Sequence, residues 1–143
     1  MRRLTYHHRF TEAIEAGLLD VEGTPRPPHL LKVRPKFQTV RTARPDYKEH
    51  HPGRRPTVCE RIRHYEAPSI EGVTGRCLGE SICTFVASIQ IDGIRGEVRV
   101  ANQLLSRHAF ARDEGFRGGT EMLEFIAALY GRRFEGILIG WRP

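Results

Sequence analysis

SICTFVASIQI, residues 81–91, alternates more cleanly than any other stretch of the chain: Cys83, Phe85, Ala87, Ile89 and Ile91 point one way, Thr84, Ser88 and Gln90 the other. A period of two with one apolar side predicts a half-buried strand. Asp92-Gly93 then supplies a turn, and residues 94–100 a return strand in which Gly96 marks a candidate bulge. Outward from this hairpin, FEGILIGW (134–141) places Ile137, Ile139 and Trp141 on one face, so the final element belongs in the same sheet. TVCERIRHY (57–65) alternates Val58, Glu60, Ile62 and His64 against Cys59, Arg61, Arg63 and Tyr65; FQTVR (37–41) sets Phe37, Thr39 and Arg41 against Gln38 and Val40. Leu4-Thr5-Tyr6 is a further short strand.

Helical spacing occurs in three places. In FTEAIEAG, Phe10, Ala13 and Ile14 share a face and Gly17 is a natural stop. Leu104, Leu105, His108 and Ala109 form a second stripe that ends near Gly115. Met122, Phe125, Ile126 and Leu129 recur at i, i+3, i+4 and i+7, between a Thr120 N-cap and a Gly131 C-cap. The expectation is one α+β domain over residues 1–143: five or six strands in one curved sheet rolled into a small β-barrel, with two or three packed helices. Phe85, Ile89, Phe125, Ile126 and Ile139 should share its core. Residues 18–56 are rich in proline, which excludes helix interiors and central strands there, apart from the short FQTVR segment.

Across 143 residues, 23 are Lys or Arg and 17 are Asp or Glu, a net charge of +6. Twenty of the cations are arginine, a skew that GC-rich codon usage produces without any function and that selection for guanidinium forks that grip phosphate also produces. The excess is concentrated. Between residues 26 and 63, eleven cations face only Asp46, Glu49 and Glu60, a local charge of +8 suited to a polyanion. No run of about 18 apolar residues exists to span a bilayer, and MRRLTYHHRF lacks the apolar stretch of a secretory signal. Cys59, Cys77 and Cys83 are an odd count without CxxC spacing, as in reduced thiols of a cytoplasmic protein. His50, His51, Cys59 and His64 fit the spacing of no zinc finger, so no metal or other cofactor is expected. GFRGGTE lacks the preceding strand of a phosphate loop and reads as a loop that feeds a helix.

Asp113 and Glu114 stand at the end of a helix, where a carboxylate opposes the helix dipole unless a cation meets it. Lys36, beside a strand, is the candidate partner for Glu114, and Thr39 comes near if that strand starts late. A lysine–carboxylate pair in a pocket can move protons or hold a nucleophile against a carbonyl. The plainer alternative is a solvated lysine and a surface acid.

In order along the chain, HRFTEAIEAG (8–17), Lys36 followed by Thr39-Val40-Arg41, RCLGESICTFVASIQI (76–91), HAFARDEGF (108–116), TEMLEFIAALYG (120–131) and FEGILIGW (134–141) resemble the ASCH domains of the PUA-like group, especially the short single-domain bacterial and phage-type members. The chain departs from that pattern in two places. Residues 18–35 are inserted between the helix-terminating glycine and the lysine, and Arg54 follows Gly53 where the family has aspartate. The resemblance implies a β-barrel wrapped by helices with a cleft for RNA or nucleotides. In some members a lysine, a threonine and a glutamate remove an acyl group from the exocyclic amine of a modified cytidine; the positions here are Lys36, Thr39 and Glu114.

Three functions follow. The first is binding of RNA or single-stranded nucleic acid, with Arg41, Arg54, Arg55, Arg61 and Tyr65 as the gripping and stacking residues. The second is an amidohydrolase for an acylated cytidine, worked by Lys36, Thr39 and Glu114. The third is a protein-interaction domain whose arginines reflect codon usage alone. Convergence of Lys36, Thr39 and Glu114 on one pocket favours the enzyme; displacement of Lys36 by the insertion favours the binder. Composition fixes no oligomeric state.

Overall fold

The computed structural model describes residues 2–42 and 55–143. Its elements are β1 (Arg2–Tyr6), α1 (Thr11–Glu22), β2 (Gln38–Thr42), β3 (Arg61–Glu66), β4 (Cys77–Ile82), β5 (Phe85–Asp92), β6 (Glu97–Val100), β7 (Gln103–Leu105), α2 (Arg107–Asp113), α3 (Gly119–Tyr130) and β8 (Arg133–Gly140). The strands form two open sheets, ordered β1-β3-β4 and β2-β8-β5-β6-β7. This corrects the expectation of a single closed β-barrel of five or six strands.

The physical reason lies at two seams. SICTFVASIQI is not one strand; it breaks at Cys83-Thr84 and serves both sheets. The Cys83 N–H donates to the Glu60 carbonyl at 2.8 Å and its own carbonyl accepts from Cys59 N–H at 2.8 Å, on the approach to β3. One residue later, Thr84 N–H donates to the Gly140 carbonyl at 2.8 Å, in the other sheet. The alternation survives the break, so Cys83, Ile89 and Ile91 are buried and Ser88 and Gln90 exposed. Across the molecule β1 pairs in parallel with β3, from Arg2 opposite Ile62 to Tyr6 opposite Glu66, while β2 pairs antiparallel with β8. No ladder joins β1 to β2. A side chain spans that gap instead: Arg41 Nη2 donates to the Thr5 carbonyl at 2.6 Å. The 57–65 stretch, expected in one sheet with FQTVR, SICTFVASIQI and ILIGW, contributes β3 to the separate three-stranded sheet.

Three helix boundaries also differ from expectation. α1 runs through Gly17 to a left-handed C-cap at Gly23. Leu104 and Leu105 lie in the exposed edge strand β7, because Ser106 caps α2 by accepting from Ala109 N–H and so starts the helix after them. α3 begins at Gly119 rather than at a Thr120 cap, and Gly119 N–H donates to His108 Nδ1 of α2 at 3.0 Å. The turn after β5 occupies residues 93–96, with the Asp92 side chain accepting from Ile94 and Arg95 N–H and Gly96 at φ +68°.

One apolar core joins the layers. Ile89, Ile126 and Ile139 are buried in it, and Phe85 and Phe125 pack against it partly exposed, so those five residues do share a core. Burial of such a set supplies most of the folding drive. Among the described residues no helix is long and apolar enough to cross a membrane.

Candidate active-site cleft

At the unzipped seam between β1 and β2, roofed by α3, lies a cleft of about 280 Å³. Lys36, Thr39 and Glu114 all line it, and they are only 2%, 3% and 3% exposed. Each arrives by a different local device. The backbone of Lys36 lies flat on α1: its N–H donates to the Ala13 carbonyl at 2.9 Å, and a Cβ on Gly17 would stand 2.1 Å from the Lys36 carbonyl oxygen. Only glycine leaves room for that approach. Gly17 is therefore no helix stop but the seat on which Lys36 rests: of the 18–35 insertion, the first five residues continue α1 and the rest leaves it after Gly23 and returns to it at Lys36.

Glu114 is the C-cap of α2, followed by Gly115 at φ +92°. Lys36 Nζ donates to the Glu114 backbone carbonyl at 2.8 Å and to Glu114 Oε2 at 2.6 Å. One ammonium position thus meets both an unpaired carbonyl at the helix end and the carboxylate that the dipole disfavours there. Gln38 Nε2 donates to the other carboxylate oxygen, Oε1, at 2.9 Å, so the acid is held at both oxygens. Lys36 Nζ also stands 5.0 Å from the centre of the Phe10 ring.

Burial drives the Lys36 amine below the ordinary lysine range; the Glu114 charge and hydrogen bond oppose that shift, and the charges of Arg41 and Arg9 add to it. Desolvation of a charged form and repulsion by like charge act here in the same direction. β2 begins at Gln38, late enough to bring Thr39 into the cleft that Lys36 also lines. Arg41 Nη1 donates to Thr39 Oγ1 at 2.7 Å, so the threonine oxygen is held as an acceptor and keeps its own proton to give.

The other anticipated residues scatter. Arg41 and Arg55 line the cleft, and Arg55 donates to the Thr42 carbonyl at 2.6 Å. Arg61 is on the outer face of the small sheet, 3.5 Å from Glu80. Tyr65 lies outside the cleft, beneath the guanidinium of Arg3. Arg54 falls outside the described residues, as do His50 and His51. His64, considered as a zinc ligand, is buried with both ring nitrogens engaged: Nδ1 shares a hydrogen bond with Tyr6 Oη at 2.6 Å, and Nε2 with Ser81 Oγ at 2.7 Å.

Gln38, Tyr6 and Arg3 are cleft or near-cleft groups that sequence reasoning did not single out. Gln38 had a usable signal, since it stands two residues from Lys36 and shares its side of an extended chain. Tyr6 and Arg3 had none, because they reach the cleft only through the β1–β3 pairing. The chain matches no protein-family model, no curated protein and no solved structure.

Proposed function

We propose that the chain is an amidohydrolase that removes an acyl group from the exocyclic amine of a modified cytidine. The observation that carries this reading is the buried Lys36–Glu114 pair, with Nζ 2.6 Å from Oε2, facing the same cleft as Thr39. It is also the arrangement that the resemblance to ASCH domains implies. Nucleic-acid binding along residues 26–63 draws less support, because Arg26, Arg34, Arg61 and Arg63 are each tied to carboxylates of Asp20, Asp113 or Glu80.

The chemistry follows from the geometry. Glu114 occupies two hydrogen-bond directions of Nζ, its carbonyl and its carboxylate, and one direction remains. In the neutral amine that direction is a lone pair. The lone pair takes a proton from water, or from Thr39 acting as the nucleophile, as the oxygen adds to the acyl carbon. Charge then develops on the acyl oxygen, where the Arg41 guanidinium beside Thr39 is a preorganised stabiliser. The ammonium formed on Lys36 is held by Glu114 until it passes its proton to the departing exocyclic nitrogen. The carbon–nitrogen bond breaks, and one water yields a carboxylic acid and a free amine. If Thr39 attacks first, the amine leaves with formation of a threonine ester, and water in a second step cleaves that ester to the carboxylic acid and free Thr39.

The test is incubation of the purified chain with N4-acylated cytidines and measurement of free cytidine. Turnover should occur and fall about 10²–10⁴-fold in Lys36→Ala and in Glu114→Gln, the usual range for loss of a proton-transfer group, with circular dichroism unchanged. No release from any acylated cytidine overturns the reading.

A further inference from the structure

We infer that the cleft recognises a phosphate, so that the substrate is a phosphorylated nucleoside, a mononucleotide rather than a free nucleoside. This rests on the amidohydrolase reading for the reacting end of the ligand; at the anion end Arg3 takes no part in that chemistry, whereas Arg41 adjoins both ends.

Arg3 and Arg41 line the cleft, and among the described residues the carboxylate that lines it is Glu114. Glu114 is already committed to Lys36 and Gln38 through both oxygens. Among the described residues no carboxylate lies within ion-pair reach of Arg3 or Arg41, whereas Arg9, Arg26 and Arg63 are each paired with an acid. The Arg41 charge is felt across the site, where it helps to lower the Lys36 amine and the His64 imidazole. Unopposed charge of one sign in a confined, partly apolar cleft focuses field on an entering anion. Guanidinium groups suit phosphate because their fork of N–H donors matches its oxygens.

Both arginines are held in place before any ligand arrives. The Arg3 guanidinium rests 4.3 Å from the centre of the Tyr65 ring. Arg41 sits 5.0 Å from the centre of the Tyr6 ring and is fixed by Thr39 Oγ1 and the Thr5 carbonyl, contacts that leave N–H donors over. Prior ordering lowers the entropic cost of binding. Arg41 adjoins Thr39 on β2 and reaches the Thr5 carbonyl of β1, two residues along that strand from Arg3. A cleft of about 280 Å³ is sized for one small ligand, which favours a mononucleotide over a strand.

The experiment is calorimetric binding of cytidine, cytidine 5′-monophosphate and a short cytidine-containing RNA to the whole chain and to its Arg3→Gln and Arg3→Lys variants. Arg3 is exposed, so both variants should keep the fold. The monophosphate should bind at least tenfold more tightly than cytidine. Arg3→Gln should reduce that ratio severalfold while leaving cytidine affinity unchanged, and Arg3→Lys should restore it in part. Equal affinity for nucleoside and nucleotide, or a preference untouched by Arg3→Gln, overturns the inference, as does failure of both to bind. RNA binding more tightly than the monophosphate overturns the choice of a mononucleotide. Because the readout is binding, a nucleotide preference without hydrolysis of N4-acylated cytidine 5′-monophosphate keeps the anion site and removes the amidohydrolase.

Discussion

Lys36 and His64 are both buried close to the seam, and they answer to different physics. Lys36 has a carboxylate to hold its charge; His64 has only neutral partners, Tyr6 and Ser81. Burial, with the Arg41 charge in support, lowers His64 to about 3. The unfolded chain takes up this proton as pH falls through about 6.5, whereas the folded chain does not until about 3, so the unfolded state holds more protons across that window. Stability contributed by the neutral imidazole is therefore present above about 6.5 and lost on acidification, at roughly 1.4 kcal/mol per pH unit. Urea unfolding should show the parent chain losing about 2 kcal/mol more than His64→Gln between pH 6.5 and pH 5; parallel losses would show that His64 titrates normally. At this scale the sequence was informative about Lys36, Thr39 and Glu114, because a carboxylate at a helix end calls for a cation. It was silent about the His64 environment, because an alternating strand with one polar side gives no sign that its histidine is covered.

At the scale of elements, what could be foreseen was set by local pattern and what could not was set by neighbours. The period-two run 81–91 and the stripe of α3 are local, and both are present. The break at Cys83-Thr84 is not local: it exists because Glu60 and Gly140, far apart in sequence, draw adjacent backbone groups into different sheets. Gly17 is a similar case. A glycine after a short apolar stripe looks like a helix end, yet the backbone of Lys36, nineteen positions later, crosses the helix there. Gly17→Ala pits a helix-propensity gain of up to about 1 kcal/mol against overpacking of about 1–3 kcal/mol. The expected outcome is a small net loss in thermal stability but a fall of tenfold or more in turnover, because the displaced carbonyl moves Nζ away from Glu114. Unchanged turnover in Gly17→Ala would show that this contact does not position Lys36.

For the whole molecule, the difference between a closed barrel and two open sheets is also the difference between a filled interior and a usable cleft. A barrel closed between β1 and β2 would pair the backbone that Arg41 now bridges with its side chain, and it would occupy the space that Lys36, Thr39 and Glu114 line. The mixture of strands and helices and the shared core were legible from periodicity; the single barrel sheet was a wrong expectation, since sheet division and closure depend on which edges meet, and strand pairing order leaves no mark in a single strand's pattern. The account requires that Lys36 act by losing a proton inside this seam rather than by carrying a charge. The most direct test is the pH dependence of kcat/KM on an N4-acylated cytidine or its 5′-monophosphate, for the parent chain and for Lys36→Arg. Arginine keeps the charge beside Glu114 but does not deprotonate. The parent should gain activity with rising pH through a midpoint below the ordinary lysine value, while the folded Lys36→Arg chain is inactive at every pH; a flat profile, or an active arginine variant, would contradict it.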